Sequence, residues 1–223
     1  MKPFRRHLIV IATAGTAAAI HAPALAAAQR ALAGMTDGPF YPPTAWRNSG
    51  PLAGDWDADL TRVERQGRVT VAQGEHLLLQ AQVLDTQGRA VDGAEAEFWQ
   101  CDSHQQYRHP DVALQPSGRY DAGFQGYGAL RSGRDGQLTL RTIKPVPYPG
   151  RTPHIHVKLR HAAFGELSTQ LFVADEPGNA RDFLWRQLPD ADRTALSLQL
   201  QPAPPDAARG LRWLAQHRLI VPT

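Results

Sequence analysis

Apolar and polar residues alternate along much of this chain in short segments, a pattern typical of β-strands. Turn-forming residues separate the segments, as in "DTQGR", "RDGQ" and "EPGN". Short strands at this spacing favour an antiparallel β-sandwich over a parallel α/β sheet. We therefore predict strands at 76–85, 94–102, 137–145, 154–160, 167–175 and 196–202.

Few helices are expected beside these strands. The pattern favours a helix only at 179–188 ("NARDFLWRQL") and at 206–217 ("DAARGLRWLAQH"). Residues 35–54 are rich in proline and glycine, and we expect them to wrap the sandwich as an ordered arm. A chain of 223 residues is most simply one domain with appendages. The predicted fold class is mainly β, an antiparallel β-sandwich with few short helices.

The N-terminal segment has the features of an export signal. Lys2, Arg5 and Arg6 precede a mildly apolar stretch at 8–19, and "ALA" at 24–26 resembles a signal cleavage site. The apolar stretch is too short to cross a membrane. The paired arginines are similar to those of twin-arginine signals. We therefore expect this segment to be cleaved during export.

This expectation sets the domain organisation. Residues 1–28 form the export signal, and residues 29–223 form a single β-sandwich domain with an N-terminal arm. The mature protein is then expected in the periplasm or outside the cell, with no stable membrane anchor.

Charge and cysteine content exclude several classes of function. The whole chain has 24 Lys and Arg against 21 Asp and Glu. Three of the basic residues lie in the export signal, so the mature domain is balanced and gives no support for nucleic-acid binding. Cys101 is the only cysteine, which excludes a disulfide framework, a zinc ribbon and an iron–sulfur cluster.

Two histidines in one predicted strand form the first chemical motif. His154 and His156 are two residues apart, so their side chains leave the strand on the same face. Two imidazoles on one face can bind a metal if further ligands come from elsewhere. Other histidines lie in turns or at strand ends, namely His104, His109 and His161.

Two tyrosines are better placed than these histidines to complete such a site. Tyr148 lies between Pro147 and Pro149, which restrict the backbone to extended geometry. Tyr107 follows the strong strand at 94–102. Taken singly, each tyrosine is more often a half-buried packing residue than a ligand.

Several segments together resemble one enzyme family, the intradiol ring-cleavage dioxygenases. The resemblance points to the protocatechuate 3,4-dioxygenase branch and its exported single-domain members. It extends in order from Gly38 to Asp182, and the P-Y-P…R-x-x-H-x-H element is its most specific part. The matching segments are "GPFYPP" (38–43), "DADLTRV" (57–63), "AEFWQCDSHQQYRHP" (96–110), "FQGYG" (124–128), "RTIKPVPYPGRTPHIHVKL" (141–159) and "STQLFVADEPGNARD" (168–182).

The resemblance implies a mononuclear non-haem iron(III) in a β-sandwich. Carried over residue by residue, its ligands are Tyr107, Tyr148, His154 and His156. The implied reaction uses O2 to cleave a small aromatic diol between its two hydroxyl-bearing carbons, giving a cis,cis-muconate-type diacid. Phenolates are hard anionic donors and favour iron(III) over divalent ions. Tyr148 is implied to be the axial ligand that leaves when the substrate binds.

The family also implies roles for residues beside the metal. Arg151 would stabilise negative charge on the ring during attack by oxygen, and Gln170 would lie in the pocket. In "GPFYPP", the resemblance places Gly38, Pro39 and Tyr41 in the substrate pocket.

This chain differs in sequence from two branches of the intradiol dioxygenase family that it resembles. Only Pro149 and Gly150 separate Tyr148 from Arg151, whereas two-subunit protocatechuate enzymes have a longer segment with a tryptophan there. We therefore expect a wider or differently shaped pocket. After the expected cleavage few residues would precede Gly38, so we expect no counterpart of the helical N-terminal region that forms the catechol 1,2-dioxygenase dimer. The identity of the catechol and the formation of a homo-oligomer stay open.

Two other classes of function fit part of the pattern. A zinc hydro-lyase also uses His-x-His on a strand but needs a third histidine. A non-catalytic β-sandwich binding protein would keep the fold without the chemistry. Retention of the four ligand positions and of Arg151 favours the dioxygenase.

Overall fold

Strands form most of the regular structure in the computed structural model, which describes residues 29–49, 53–54, 57–110, 119–206 and 210–222. The strands are β1 (Arg62–Arg65), β2 (Arg68–Val71), β3 (His76–Asp85), β4 (Glu95–Trp99), β5 (Tyr127–Arg131), β6 (Gln137–Ile143), β7 (His154–His161), β8 (Gly165–Val173), β9 (Ser197–Leu198), β10 (Gln201–Asp206) and β11 (Leu211–Val221). The helices are α1 (Thr44–Ser49), a 3₁₀-helix (Asn179–Arg181), α2 (Phe183–Gln187) and α3 (Asp190–Leu196).

These strands form two main sheets and one hairpin. The four-stranded sheet has the order β10–β11–β3–β6, and the five-stranded sheet has the order β5–β4–β7–β8–β9. Most neighbours are antiparallel, but β11 pairs with β3 and β8 pairs with β9 in parallel. The prediction of a mainly β sandwich with few short helices is confirmed, and its sheets are mixed rather than wholly antiparallel.

The core lies between the two sheets. Leu77 and Leu79 of β3 belong to the same buried cluster as Phe98 of β4 and Ile155 and Val157 of β7. Each of these side chains has no exposed surface. Burial of one such side chain contributes about 1.5–3 kcal/mol to folding, so the alternating apolar positions fix which face of each strand points inward.

The predicted site residues of β7 and β8 lie on the opposite face of the five-stranded sheet. Trp99 of β4, His156 of β7 and Gln170 of β8 are direct neighbours in register. Because side chains two residues apart share a face, His154 projects from the same side. The inward-facing Ile155 between them anchors this part of β7 in the core.

The predicted N-terminal arm covers this outer face. Its backbone is tied to the sheets, since the Met35 amide donates to the Ser168 carbonyl at 2.7 Å. Asp37 forms a salt bridge with Lys158, and Arg47 of α1 forms one with Glu97 at 2.9 Å. The arm is therefore ordered over its described part, and only residues 50–52 of the predicted span lie outside the described residues.

The helix predicted at 206–217 is wrong. From Leu211 onward this segment is strand β11, which lies between β10 and β3. Ala215, Leu219 and Val221 are buried in the core, as the two-residue period of a strand requires. The apolar residues also fit a helical period, and the parallel pairing with the distant β3 decides between the two.

Two other predicted elements are divided in the structure. The predicted helix at 179–188 becomes the 3₁₀-helix and α2, which Asp182 separates. The predicted strand at 196–202 becomes the end of α3, the short β9 and the start of β10. The predicted export signal lies outside the described residues. Within the described part of the chain, no helix is long and apolar enough to span a membrane.

Candidate metal centre

Three potential metal donors converge on the outer face of the five-stranded sheet. The Nε2 atoms of His154 and His156 are 3.2 Å apart. The Tyr107 hydroxyl lies 3.5 Å from the first of these nitrogens and 3.2 Å from the second. All three side chains are buried. The structure thus brings together two strand residues and a tyrosine from a separate loop.

Both histidines are held neutral with one ring nitrogen facing the site. His154 Nδ1 lies 2.7 Å from the Thr152 carbonyl oxygen, so it donates there and leaves Nε2 with its lone pair. Burial and the nearby Arg151 guanidinium lower the pKa of His154 to about 3. Burial also lowers the pKa of His156 well below its ordinary value. Its ring stacks on Trp99 with a centroid distance of 4.7 Å.

The Tyr107 ring is held between aromatic neighbours. Phe40 of the arm stacks on it, with centroids 4.5 Å apart and planes inclined by 13°. The Tyr148 ring meets it edge-on at 5.6 Å. Burial raises the pKa of Tyr107 well above its ordinary value. A phenolate at this position therefore requires a compensating cation.

A tight turn presents Tyr148. The Arg151 amide donates to the Tyr148 carbonyl at 2.9 Å, and the Tyr148 amide donates back to Arg151 at 3.3 Å. Pro149 and Gly150 occupy the two central positions, and Gly150 has φ +83°, as a type II turn requires. The Tyr148 ring lies 5.6 Å from the His154 ring. Tyr148 thus stands at the edge of the donor cluster.

Arg151 links this turn to the rest of the site. Its Nη1 lies 3.4 Å from the Tyr148 hydroxyl, and its Nη2 donates to Gln170 Oε1 at 2.6 Å. Its Nε donates to Asp182 at 2.8 Å. Burial raises the pKa of Tyr148, and the Arg151 charge opposes that rise.

The donor set fits a metal ion. Because His154 Nδ1 donates to a carbonyl, its Nε2 is an acceptor. His156 Nε2 and the Tyr107 oxygen both lie within 3.5 Å of it, so three atoms that can each donate a lone pair face one another in a buried site. A cation bound by both nitrogens and a phenolate oxygen would use all three lone pairs. Two imidazoles with phenolate oxygens suit a hard, highly charged ion such as iron(III).

The three residues expected to form the substrate pocket have different surroundings in the structure. Gly38 is adjacent to His156, since a Cβ there would lie 3.5 Å from the His156 Cε1. Pro39 is exposed. The Tyr41 hydroxyl donates to Glu97 at 2.6 Å, so Tyr41 lies in a polar network beside the donors. Sequence reasoning missed Phe40, which contacts Tyr107 directly, although it lies within "GPFYPP".

The remaining histidine candidates do not join the pair. His104 is bound to the Arg119 carbonyl and to Gln73, and His161 lies at the end of β7. The His109 ring lies 5.8 Å from Phe40. In the described ranges, no group of three or more His, Cys, Asp or Glu could hold a metal. These residues therefore provide no third histidine for the zinc hydro-lyase alternative.

Comparison with known proteins identifies the family. A family model described as Dioxygenase matches residues 48–213. Hydroxyquinol 1,2-dioxygenase from Rhizobium sp. (strain MTP-10005) is 29% identical over 123 residues, covering 47% of this chain and 40% of that protein. The protocatechuate 3,4-dioxygenase alpha chain from Burkholderia cepacia is 31% identical over 133 residues, covering 56% of this chain and 64% of that protein.

Solved structures agree with this match. The dioxygenase domain of a dioxygenase carbohydrate-binding protein fusion from Streptomyces sp. SirexAA-E superposes with a TM-score of 0.60 at 25% identity, covering 87% of this chain and 99% of that chain. The 3-chlorocatechol 1,2-dioxygenase from Rhodococcus opacus 1CP shares the fold, with a TM-score of 0.62 at 20% identity, covering 87% of this chain and 74% of that chain. The chain belongs to the intradiol ring-cleavage dioxygenase family. It spans less than half the length of the hydroxyquinol enzyme that it matches.

Proposed function

We propose that this protein is a mononuclear non-haem iron(III) dioxygenase for catechol-type rings. It cleaves the bond between the two hydroxyl-bearing carbons with O2 and gives a cis,cis-muconate-type diacid. The observation that carries the proposal is the convergence of His154, His156 and Tyr107 within 3.5 Å, with Tyr148 at the edge of the cluster. Membership of the dioxygenase family supports the same reaction.

Tyr107, Tyr148, His154 and His156 are the residues that would hold the iron. Iron(III) held by these residues would supply a Lewis acid that withdraws electron density from a catecholate and so makes a ring carbon reactive toward O2. Two phenolates also reduce the net positive charge of the buried site, where an unpaired charge would be costly.

Tyr148 has the properties of a releasable base. Burial raises the pKa of its phenol, so a free Tyr148 phenolate would readily accept a proton at Oη. That proton comes from a substrate hydroxyl. The Arg151 guanidinium, with Nη1 at 3.4 Å from the same oxygen, then lies where negative charge develops on the ring.

A cavity beside this turn can accept a small aromatic diol. It has a volume of about 390 Å³ and includes Tyr148, Gly150 and Arg151 in its lining. A larger cavity of about 590 Å³ is lined by Asp59, His76 and other residues near β2. Of the four donor residues, the larger cavity includes none and the smaller one includes Tyr148 alone, together with Arg151, so we assign the substrate to the smaller one.

Oxygen consumption tests the proposal. Iron-loaded protein is expected to be red-brown from tyrosinate-to-iron charge transfer and to consume O2 in equimolar amounts with its best substrate. The substrates to compare are catechol, protocatechuate, hydroxyquinol and chlorinated catechols, with zinc-loaded protein as the inactive control. A colourless iron complex, or no catechol-dependent uptake by fully iron-loaded protein, would contradict the proposal and favour a non-catalytic binding protein.

Export to the periplasm or the medium is the second part of the proposal. It rests on Lys2, Arg5 and Arg6 before the apolar stretch and on "ALA" at 24–26. We expect the full chain, expressed in a Gram-negative host, to be found in the periplasmic fraction as a shorter mature form. If the route is twin-arginine, Arg5→Lys with Arg6→Lys retains the precursor in the cytoplasm. Full-length protein in the cytoplasm of the unaltered chain would contradict export.

A further inference from the structure

Asp182 accepts four hydrogen bonds although it is almost wholly buried, with 1% of its surface exposed. Its Oδ2 accepts from Arg151 Nε at 2.8 Å and from the Thr152 amide at 3.0 Å. Its Oδ1 accepts from the amides of Leu184 and Trp185 at 2.9 and 3.0 Å, which caps helix α2. The Asp182 carboxylate thus connects the N-terminus of α2 to the segment at Arg151 and Thr152, beside the donor cluster.

Thr152 extends this connection to a candidate metal ligand. Its amide is bound by Asp182, and its carbonyl accepts from His154 Nδ1 at 2.7 Å. Its hydroxyl donates to Asn179 Oδ1 at 2.7 Å. Gly178 permits this close approach, because a Cβ there would lie 2.9 Å from the Thr152 hydroxyl oxygen. The Thr152 peptide is therefore fixed on both sides.

We propose that Asp182 is a positioning residue for both Arg151 and His154. It directs the guanidinium of Arg151 toward Tyr148 and Gln170, and it orients the His154 ring through the Thr152 peptide. This inference rests on the proposed dioxygenase function, since it assigns a support to two residues of that site. The sequence analysis gave Asp182 no role, although it is the last residue of the matching segment 168–182 and lies inside a predicted helix.

The negative charge of Asp182 is needed for this role. Burial alone would raise the pKa of Asp182, but the amides of Thr152 and Trp185 and the Arg151 guanidinium lower it below its usual value. All four partners are N–H donors, so an acceptor is required at both oxygens. An asparagine supplies one acceptor oxygen and one NH2 group. Its NH2 group therefore faces either the α2 amides or the Arg151 and Thr152 donors.

The test compares Asp182→Asn with a matched control, Asp192→Asn. Asparagine is as good a helix cap as aspartate, so the first variant is expected to fold. Asp192 is also a buried aspartate paired with an arginine, since Arg30 Nε donates to it at 2.7 Å, but it lies in α3. We expect Asp182→Asn to lower kcat by about 10- to 100-fold with little change in KM. The visible spectrum of its iron complex should also shift, because the Thr152 peptide that orients His154 loses a charged hydrogen-bond partner. Asp192→Asn should retain wild-type kcat and spectrum.

A second measurement uses the metal-free protein and so does not depend on catalysis. In the wild type, the Arg151 Nε–H should give a slowly exchanging ¹H–¹⁵N signal, since it donates to a buried carboxylate. Asp182→Asn should lose this protection, and Asp192→Asn should keep it. In an Arg151→Gln background, Asp182→Asn should cost less kcat than it does in the wild type, because the Arg151 contact is already absent and only the contact with the Thr152 peptide remains to be lost.

Two outcomes would overturn the inference. One is wild-type kcat, spectrum and Arg151 protection in Asp182→Asn. The other is an equal loss in Asp192→Asn, which would show a general effect of removing a buried charge. Failure of the proposed function can be distinguished from failure of this inference. In the first case the wild-type protein would lack oxygen uptake, while the Arg151 signal would stay measurable.

Discussion

Replacing either His154 or His156 with alanine is expected to reduce iron affinity by more than about 100-fold, since loss of a partner behind a ligand already costs about 10- to 100-fold. Each imidazole supplies one of the two nitrogens that lie 3.2 Å apart in the buried site. Alanine removes the donor and leaves a buried cavity, next to Trp99 and Tyr107 in the His156 variant and next to Tyr148 and Phe172 in the His154 variant. The charge-transfer band should disappear with the iron.

The measurement is iron per chain after reconstitution and desalting, together with the visible spectrum. His161→Ala is the matched control, because His161 lies on the same strand but ends it, away from the donors. That variant should hold wild-type amounts of iron. Added imidazole should partly restore iron binding in His154→Ala, since it can occupy the vacated space. Full iron occupancy with the band intact in both alanine variants would show that the histidine pair does not bind the metal.

The histidine pair could be predicted because its geometry is local. Once β7 is a strand, the two-residue spacing alone places His154 and His156 on one face. For Tyr148 the flanking prolines predicted extended backbone, and the type II turn with Pro149 and Gly150 at its centre is a finding of the structure. By contrast, the approach of Tyr107 to these residues depends on contacts across 47 and 49 positions of sequence. Its place after the strand at 94–102 made Tyr107 a candidate, but only the family resemblance implied that it is a ligand.

The missed features share one physical cause, which is dependence on distant partners. Strand β11 lies beside β3 in parallel, and its apolar residues fit a helix equally well until that neighbour is known. Phe40 gains its position because the arm is bound to the outer sheet face, where Arg47 pairs with Glu97. Asp182 looked like part of a continuous helix, yet it ends one helix and begins another.

Tyr148→Phe and Tyr107→Phe are expected to have different effects, because the two phenols have different roles in the proposed reaction. Tyr148→Phe should keep some iron, since His154, His156 and Tyr107 remain. Its catechol complex should form with a spectrum like the wild type, because that complex has no bond to Tyr148. Turnover should fall by about 100-fold or more, as expected for loss of a general base. The remaining rate should rise with pH, because solvent must then remove the substrate proton.

Tyr107→Phe removes a donor that stays in place throughout the reaction. Its hydroxyl is the one that lies within 3.5 Å of both histidine nitrogens. The variant should therefore retain less iron than Tyr148→Phe, and its spectrum should differ from the wild type both with and without catechol. The exposed Tyr120 provides the control, and Tyr120→Phe should leave both spectra unchanged.

The deciding measurement is the visible spectrum of each variant before and after anaerobic addition of catechol. Without substrate, both Tyr107→Phe and Tyr148→Phe should differ from the wild type, since each lacks one phenolate donor. With substrate, only Tyr107→Phe should still differ, because the wild type has by then released Tyr148. An altered substrate-bound spectrum in Tyr148→Phe, with a wild-type one in Tyr107→Phe, would reverse the two roles. If neither variant differs from the wild type in either state, the tyrosines are not ligands. The buried phenols beside the histidine pair would then serve only in packing, and the iron(III) proposal would lose its anionic donors.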